Sequence, residues 1–431
     1  MSDVVVIGGG ISGLACAWQI RRAGFDVVVL EAKRRPGGVI QSHRLDGYLV
    51  ESGPNSILPT RATVEFLQEA GLTEEIVVAP LKSPRFIYVN GKLRRAPWVL
   101  SPTGTLRALA EPLVSRNRDQ GDESLASFFR RRFGTEVHDR LVAPFVGGIY
   151  AGDTEELSIE ATFPRMKELE SLYGSVMLGV LRGALSRPRP KLSSFRRGME
   201  TLPRGLARNL DIRYGVDGTC IEPSWSVDSS AGQIQAKAVV VAAPADAVSA
   251  LLTPIDPELG NVFRAVPYAP ILVAAASVSE AQLRTPLDGF GFLVPRGESL
   301  HTLGTLFSSS LFPSRAPEGK ALLTSFLGGA TKPDIVQWSD ERVWETVESE
   351  LKQVLGFEGG VKQLALFRYP RAIPQYRLGQ PRWKKDAMKR IAKQPGLFLA
   401  GNYLNGVSVP ASIEQGQRTG SAVIEYLRRA S

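Results

Sequence analysis

The chain has 431 residues, which is long enough for two or three sub-domains. Of these residues 43% are hydrophobic and 22% are charged, a composition that excludes a disordered protein. Its two cysteines, Cys16 and Cys220, exclude a disulfide framework, and no apolar run approaches the ~20 residues that span a bilayer. Most of the net charge of +9 falls in residues 80–200, which carry 20 Lys and Arg against 13 Asp and Glu. Such a segment can face anionic lipid, nucleic acid, an acidic ligand or solvent.

A dinucleotide-binding unit is predicted at the start of the chain. Residues 4–7 are β-branched, which is typical of a parallel strand buried on both faces, and residues 11–22 follow with helical spacing. The turn between them and the start of the helix read G-x-G-x-x-G, with Gly8, Gly10 and Gly13 at the glycine positions. This pattern lets the backbone approach a pyrophosphate at the helix N-terminus. Because the strand begins almost at once, we expect no signal peptide and a cytoplasmic protein.

The next segment favours FAD over NAD. Residues 26–30 predict a second strand, and Glu31 at its end stands where an acid would hydrogen-bond a ribose hydroxyl. A basic turn with the glycine pair Gly37 and Gly38 follows, which suits a second backbone approach to the diphosphate.

The middle of the chain predicts two further units. Residues 80–190 look mainly helical and end in a basic, proline-rich linker at 186–192. Residues 236–243 read as a buried strand, and residues 245–375 mix strands and turns. We therefore expect an α/β protein with a Rossmann-like FAD-binding domain, an inserted helical domain and a mixed-sheet substrate domain. The expected ranges are 1–80, 192–245 and 376–431 for the first, 81–191 for the second and 246–375 for the third.

The C-terminal segment strengthens the prediction of FAD. Residues 396–420 read as a short strand, a glycine turn at Gly401 and a helix that begins at about Pro410. The N-terminus of such a helix can bring partial positive charge to the flavin pyrimidine ring.

The sequence predicts no metal site and no catalytic side chain. His43, His138 and His301 are scattered without metal-ligand spacing, and no G-x-S-x-G elbow occurs. The chemistry is therefore expected to come from the cofactor.

Four internal segments resemble the protoporphyrinogen oxidase family. They are FVGGIYAGDTEELSIEATFPRMKELE (145–170), GFGFLVPRGE (289–298), SSSLFPSRAPEG (308–319) and RYPRAIPQYRLG (368–379). The resemblance implies an amine-oxidase-like fold and FAD-dependent oxidation of protoporphyrinogen IX to protoporphyrin IX in heme biosynthesis, with loss of six electrons to oxygen or another acceptor. It also implies a helical domain that rests peripherally on an anionic membrane surface, and no nucleic-acid partner.

The resemblance also implies the contacts. A porphyrinogen is an apolar disc with propionates, so its pocket needs apolar walls and a cation at one edge. The implied substrate contacts are Arg85 (on a propionate), Gly148, Phe290, Leu293, Leu306 and Phe326. The implied FAD contacts are Gly8, Gly9, Gly10, Ile11, Ser12, Gly13, Glu31, Ala32, Gly37, Gly38, Val39, Gly53, Pro54, Asn55, Ser56, Gly218, Gly401, Val407, Ser408 and Val409. Gly218 stands where the family commonly has an aliphatic residue, so only a backbone contact would survive there.

Three alternatives stay open at the level of sequence. The same fold can act on coproporphyrinogen III, which has four propionates and favours additional cations around the pocket. A different flavin oxidase, such as an amine oxidase or a carotenoid desaturase, is the second alternative, and a non-catalytic flavin-binding protein is the third. The sequence also leaves the oligomeric state open, a dimer being one option.

Overall fold

The computed structural model describes residues 2–117, 121–184, 190–222, 225–284 and 286–430. The strands are β1 (Ser2–Ile7), β2 (Val27–Glu31), β3 (Ser42–Leu45), β4 (Tyr48–Glu51), β5 (Ile76–Val78), β6 (Arg85–Val89), β7 (Lys92–Arg95), β8 (Ser193–Phe195), β9 (Asp211–Tyr214), β10 (Gly218–Glu222), β11 (Ser226–Ser229), β12 (Gly232–Val241), β13 (Tyr268–Ser279), β14 (Gly291–Leu293), β15 (Thr302–Phe307), β16 (Lys320–Gly328), β17 (Lys362–Pro374) and β18 (Leu397–Leu399). The α-helices are α1 (Ile11–Arg22), α2 (Arg61–Glu69), α3 (Pro102–Leu109), α4 (Leu125–Phe133), α5 (Thr135–Val137), α6 (Ala143–Tyr150), α7 (Ile159–Thr162), α8 (Pro164–Tyr173), α9 (Val176–Gly179), α10 (Thr201–Ala207), α11 (Ala245–Leu252), α12 (Pro257–Arg264), α13 (Ser308–Leu311), α14 (Asp340–Leu355), α15 (Gln380–Ile391) and α16 (Val409–Ala430).

The first large sheet is parallel at its centre and covered by helices on both faces. Strands β18, β12, β1, β2 and β9 lie side by side and parallel. Beyond β12 the sheet continues with β11, which is antiparallel to β12, and then with β10, which is antiparallel to β11. Val4 and Val6 pack in the cluster with α1 and α16, whereas Val5 and Ile7 pack in the cluster with α11 and α12. Burial on both faces explains the continuous apolar run of β1. The predicted Rossmann-like α/β architecture is confirmed.

The second large sheet has the strand order β17-β13-β16-β15-β14-β6-β7. Its strand pairs are antiparallel except for the parallel pair β14 and β6. Helix α14 covers one face, where Val343, Val347 and Leu351 pack against Leu272 and Leu323. Part of the opposite face is covered by Tyr48 and Val50 of β4, which pack with Ala275 and Leu322.

Residues 85–95 differ from the helical structure expected for them. They form the hairpin β6–β7, which joins the second large sheet rather than the helical segment. Asn90 and Gly91 both have positive φ, 52° and 76°, as a two-residue hairpin turn requires. An Asn-Gly pair after the alternating residues of β6 favours a hairpin over a helix.

The helical segment runs from α3 to α9 around a small core of its own that includes Leu125, Phe128, Val146 and Leu169. Arg132 and Glu111, both fully buried, form an ion pair inside it. Of the linker predicted at 186–192, residues 186–189 lie outside the described residues. Within the described ranges no helix has both the length and the apolar character needed to cross a membrane.

Candidate active site

The predicted dinucleotide loop lies at the carboxyl edge of the parallel sheet. Gly8 follows β1 directly and donates its N–H to the carbonyl of Leu30 at 2.8 Å. A Cβ on Gly13 would stand 2.0 Å from the Gly8 carbonyl oxygen, so only glycine lets α1 pack this close to β1. A Cβ on Gly10, by contrast, would meet no atom within 4 Å. The loop is therefore tight on its protein side and open on the side where a pyrophosphate would bind.

The N-terminus of α1 is suited to an anion. Gly10 is its N-cap residue, and neither a capping side chain nor an acidic residue occupies the first turn. The first N–H groups of the helix and the positive end of its dipole thus remain available.

Glu31 holds the loop in position from the end of β2. Its carboxylate is 7% exposed and accepts the Gly9 N–H at 2.8 Å on one oxygen and the Lys33 N–H at 2.8 Å on the other. A carboxylate has about four acceptor positions, so ribose hydroxyls can still bind to it.

The second glycine turn touches the first loop. Gly37 donates its N–H to the Gly9 carbonyl at 2.8 Å, and a Cβ on Gly38 would stand 3.5 Å from the Cα of Gly10. The guanidinium of Arg35 donates to the carbonyl oxygens of three loop residues and so stiffens the turn. A Cβ on Gly53 would stand 2.2 Å from the Val39 carbonyl oxygen, so Gly53 lies against this turn as well.

The C-terminal loop is held by Tyr376, a residue that sequence reasoning did not select. Its buried hydroxyl donates to the Asn402 carbonyl and accepts the Gly406 N–H at 2.6 Å. The side chain of Ser408 then caps α16 by accepting the Ala411 N–H at 3.2 Å. Helix α16 packs against α1, where a Cβ on Gly416 would stand 2.3 Å from the Ser12 carbonyl oxygen.

These residues fit FAD. The open space at Gly10, the unpaired first turn of α1 and the buried carboxylate of Glu31 suit a pyrophosphate and a ribose. The carboxyl ends of β1, β2, β12 and β18 bring most of the predicted cofactor contacts to this edge. The predicted cofactor contacts at this edge include Ile11, Ser12, Ala32, Gly401, Val407 and Val409. Gly218 lies near the same end of β1, since its Cβ would stand 3.0 Å from Ile7.

Three of the predicted substrate residues lie together on the face of the second sheet that is opposite α14, whereas Phe290 packs outside this group, near Leu311 and Phe312. Leu293 pairs with Gly304, and Gly304 pairs with Phe326, so both side chains share one face. Leu306 lies on this face as well, because it pairs with Gly291. All three side chains are half-buried, whereas their strand neighbours are mostly buried. The result is an apolar wall, formed by Leu293, Leu306 and Phe326.

Arg85 and Gly148 border this wall. The guanidinium carbon of Arg85 lies 5.0 Å from the ring centroid of Phe290. The Arg85 side chain is exposed, and no ion pair to it occurs within the described parts of the chain. A Cβ on Gly148 would stand 2.9 Å from Leu293, so glycine lets α6 approach the wall closely. A cation that no described carboxylate neutralises is thus available to a carboxylate ligand.

A buried ion pair joins the end of β4 to the segment between α13 and β16. Glu51 and Arg315 are 3% and 2% exposed and lie 2.5 Å apart. Burial raises the pKa of Glu51 and lowers the pKa of Arg315. With Asn55 and Leu306 they line a cavity of about 10 Å³, so the predicted cofactor and substrate sets meet here. Sequence reasoning missed this pair, because nothing in one sequence indicates that residues 264 positions apart pair.

Comparisons with known proteins agree along the whole chain. The family model for flavin containing amine oxidoreductases matches residues 11–424. The chain is 33% identical to a chloroplastic protoporphyrinogen oxidase of Oryza sativa subsp. japonica, over 99% of this chain and 89% of that protein. It is 28% identical to coproporphyrinogen III oxidase of Bacillus subtilis (strain 168), over 99% of this chain and all of that protein. The crystal structure of a provisionally assigned protoporphyrinogen oxidase from Exiguobacterium sp. 255-15 superposes with a TM-score of 0.85 at 25% identity, covering 98% of this chain and 99% of that one.

Proposed function

Because the chain belongs to the flavin containing amine oxidoreductases, and within them to the protoporphyrinogen oxidase family, it is an FAD-dependent oxidoreductase, and we propose that it oxidises protoporphyrinogen IX to protoporphyrin IX. This reaction of heme biosynthesis removes six electrons and six protons from the macrocycle, with oxygen or another acceptor as the final oxidant. The observation that carries the proposal is the half-exposed apolar wall with the unpaired Arg85 beside it.

Each part of the site has a role in this proposal. When bound, FAD supplies the acceptor for hydride from the macrocycle. The wall of Leu293, Leu306 and Phe326 packs on the apolar disc and excludes water, while Arg85 binds a propionate. Glu31 and the N-terminus of α1 hold the ribose and the pyrophosphate. No side chain is assigned as acid or base, and the pyrrole protons pass to solvent.

Oxidation of coproporphyrinogen III is the second candidate, supported by similarity to a coproporphyrinogen III oxidase over that protein's full length. The experiment that separates the two is anaerobic reduction of the bound flavin by each porphyrinogen, followed by reoxidation in air. Faster bleaching by protoporphyrinogen IX supports the first candidate, and faster bleaching by coproporphyrinogen III supports the second. A flavin that neither compound bleaches would contradict both.

A peripheral membrane contact on the cytoplasmic face is part of the same proposal. The helical segment and the loop before it expose large apolar side chains beside their basic residues, among them Trp98 at 77%, Leu106 at 67% and Leu113 at 88%. Exposed apolar side chains with nearby cations are typical of a surface that lies on anionic lipid.

The membrane contact is tested by cosedimentation with vesicles that contain anionic lipid. Replacing Leu106 and Leu113 by Ser should reduce the bound fraction. The same change at the exposed Leu58 and Leu378, outside the helical segment, serves as a control. Equal binding of both variants and the wild type would contradict the proposed contact.

A further inference from the structure

An open groove of about 860 Å³ lies on the protein surface beside the C-terminal loop. One wall consists of α7 and the first residue of α8, and the other wall is α15. Residues 404–406, which lead into the N-terminus of α16, form its floor. Its volume is in the range of clefts that bind small organic molecules.

The groove combines apolar walls with cations. Pro164, Met388 and Leu404 contribute apolar surface. Along α15, Lys384, Lys385 and Lys389 line it at i, i+1 and i+5, and Glu160 is the carboxylate that lines it from the other wall. An amphipathic anion therefore matches this lining better than a neutral or cationic ligand does.

Lys384 is the half-buried cation of the groove. Its ammonium group donates to the side-chain oxygen of Asn405. Burial lowers the pKa of Lys384, and the nearby charge of Arg418 lowers it further. Within the described residues neither Lys384 nor Lys385 forms an ion pair, while Lys389 lies 4.0 Å from Asp386.

The groove is connected to the cofactor edge through Asn405. Its amide accepts from Lys384 and donates to the side chain of Gln415 in α16. The adjacent Gly406 is held by the hydroxyl of Tyr376. An anion bound to Lys384 would thus lie one side chain away from the loop that enters α16.

We infer that this groove is a second binding site, separate from the apolar wall, for a flat amphipathic carboxylate, and that its occupant is the oxidised porphyrin product. This inference depends on the proposed function for the identity of the occupant. The porphyrin is an apolar disc with propionates, which matches apolar walls beside Lys384, Lys385 and Lys389.

The test is fluorescence titration of the FAD-loaded protein with coproporphyrin III and with protoporphyrin IX, both already oxidised. We compare the wild type, Arg85→Ala, the double variant Lys385→Gln/Lys389→Gln and the combination of all three changes. The matched control is Lys92→Gln/Lys320→Gln, which neutralises two exposed lysines of the second large sheet. The dimethyl ester of protoporphyrin IX, whose carboxylates are masked, is the control ligand.

The expected result is two classes of porphyrin site in the wild type. Arg85→Ala should weaken one class, and the α15 double variant should weaken the other by about tenfold. The lysine control should behave as the wild type, and the dimethyl ester should lose the class assigned to the groove. A single class that Arg85→Ala removes, equal binding by the α15 double variant, or undiminished groove binding of the ester would each overturn the inference.

Failure of the proposed function would be seen separately. The catalytic activity is measured as bleaching of the flavin by the reduced porphyrinogens. Binding at the groove is measured with oxidised porphyrins, which cannot reduce the flavin. A protein that is bleached but has one class of porphyrin site would keep its function and lose the groove site. A protein whose flavin is not bleached but that has two classes of porphyrin site would lose the proposed function and keep the groove site.

Discussion

The glycines of the first loop differ in what a side chain would meet. At Gly8 and Gly13 a Cβ would overlap backbone carbonyl oxygens, at 2.5 Å and 2.0 Å. At Gly10 it would point into open space, and the backbone there has φ −69° and ψ 171°, which alanine adopts readily. Replacing Gly10 therefore tests the cofactor without disturbing the fold.

We expect Gly10→Ala to fold normally but to be purified with little FAD, because the added methyl group occupies the space for the pyrophosphate. The ratio of flavin to protein absorbance and the Tm of the FAD-free protein measure the two effects. Gly360→Ala, where a Cβ makes an ordinary contact at 3.7 Å, is the control. Full flavin occupancy in Gly10→Ala would contradict the placement of the pyrophosphate at this loop.

Arg85 allows a test of the substrate contact. Loss of a charged hydrogen bond costs about 1.5–3 kcal/mol, so Arg85→Ala should raise KM for the porphyrinogen by roughly 10- to 150-fold with a smaller change in kcat. Arg94→Ala, an exposed arginine of the same hairpin, should leave KM unchanged. An unchanged KM in Arg85→Ala would contradict its role at a propionate.

At the scale of elements, the loop before α16 depends on one hydroxyl group. Tyr376→Phe would leave the Asn402 carbonyl and the Gly406 N–H without their partner. We expect a loss of about 1–3 kcal/mol in the free energy of unfolding and weaker FAD binding, measured by denaturation and by fluorescence titration with FAD.

Tyr426→Phe is the matched control for this change, since the ring of Tyr426 packs on Phe398 in the body of the sheet, away from the loop. If Tyr376→Phe binds FAD like Tyr426→Phe, the hydroxyl does not position the loop for the cofactor.

An element could be predicted from the sequence when the residues that determine it are close together in the chain. β1, α1 and Glu31 follow one another within about 30 residues, and their periodicity and glycine spacing were sufficient to predict them. The hairpin β6–β7 has an equally local signal in Asn90-Gly91, but the surrounding helical segments outweighed it. Its parallel pairing with β14, about 200 residues later, has no local signal at all.

At the scale of the whole molecule, the pair of Glu51 and Arg315 joins the end of β4 to the segment between α13 and β16. Glu51 also accepts the N–H of Met199 and the hydroxyl of Ser42, and Arg315 donates to the hydroxyl of Ser194. The pair is almost fully buried, so removing one partner leaves an uncompensated charge.

We expect Arg315→Met to lower the free energy of unfolding by about 3–5 kcal/mol, and the double change Glu51→Gln/Arg315→Met to recover part of this loss. Denaturant unfolding of the wild type, Glu51→Gln, Arg315→Met and the double variant measures the coupling free energy between Glu51 and Arg315. Lys362→Met, which breaks the exposed pair with Asp46, should cost about 1 kcal/mol or less. Equal costs for the buried and the exposed pair would contradict the proposed role of Glu51 and Arg315.

The candidate site was predictable where resemblance identified residues, but its arrangement was not. The sequence suggested Leu293, Leu306, Phe326 and Arg85 separately, whereas strand register brings the three apolar side chains to one face. Tyr376 acts through hydrogen bonds to residues about 30 positions away, which no spacing rule indicates. The assignment of every one of these residues to a ligand stays a prediction.

The packing of α16 on α1 has a consequence for how the chain folds while it is being synthesised on the ribosome. The edge where we predict FAD to bind is formed by residues 8–13 and residues 407–409, and Gly416 lies against the carbonyl of Ser12. While the ribosome is still translating the intervening residues, β1 and the glycine loop have emerged but α16 does not yet exist. The nascent chain therefore cannot complete the edge, and we expect FAD to be captured only after the segment beyond residue 409 has left the exit tunnel.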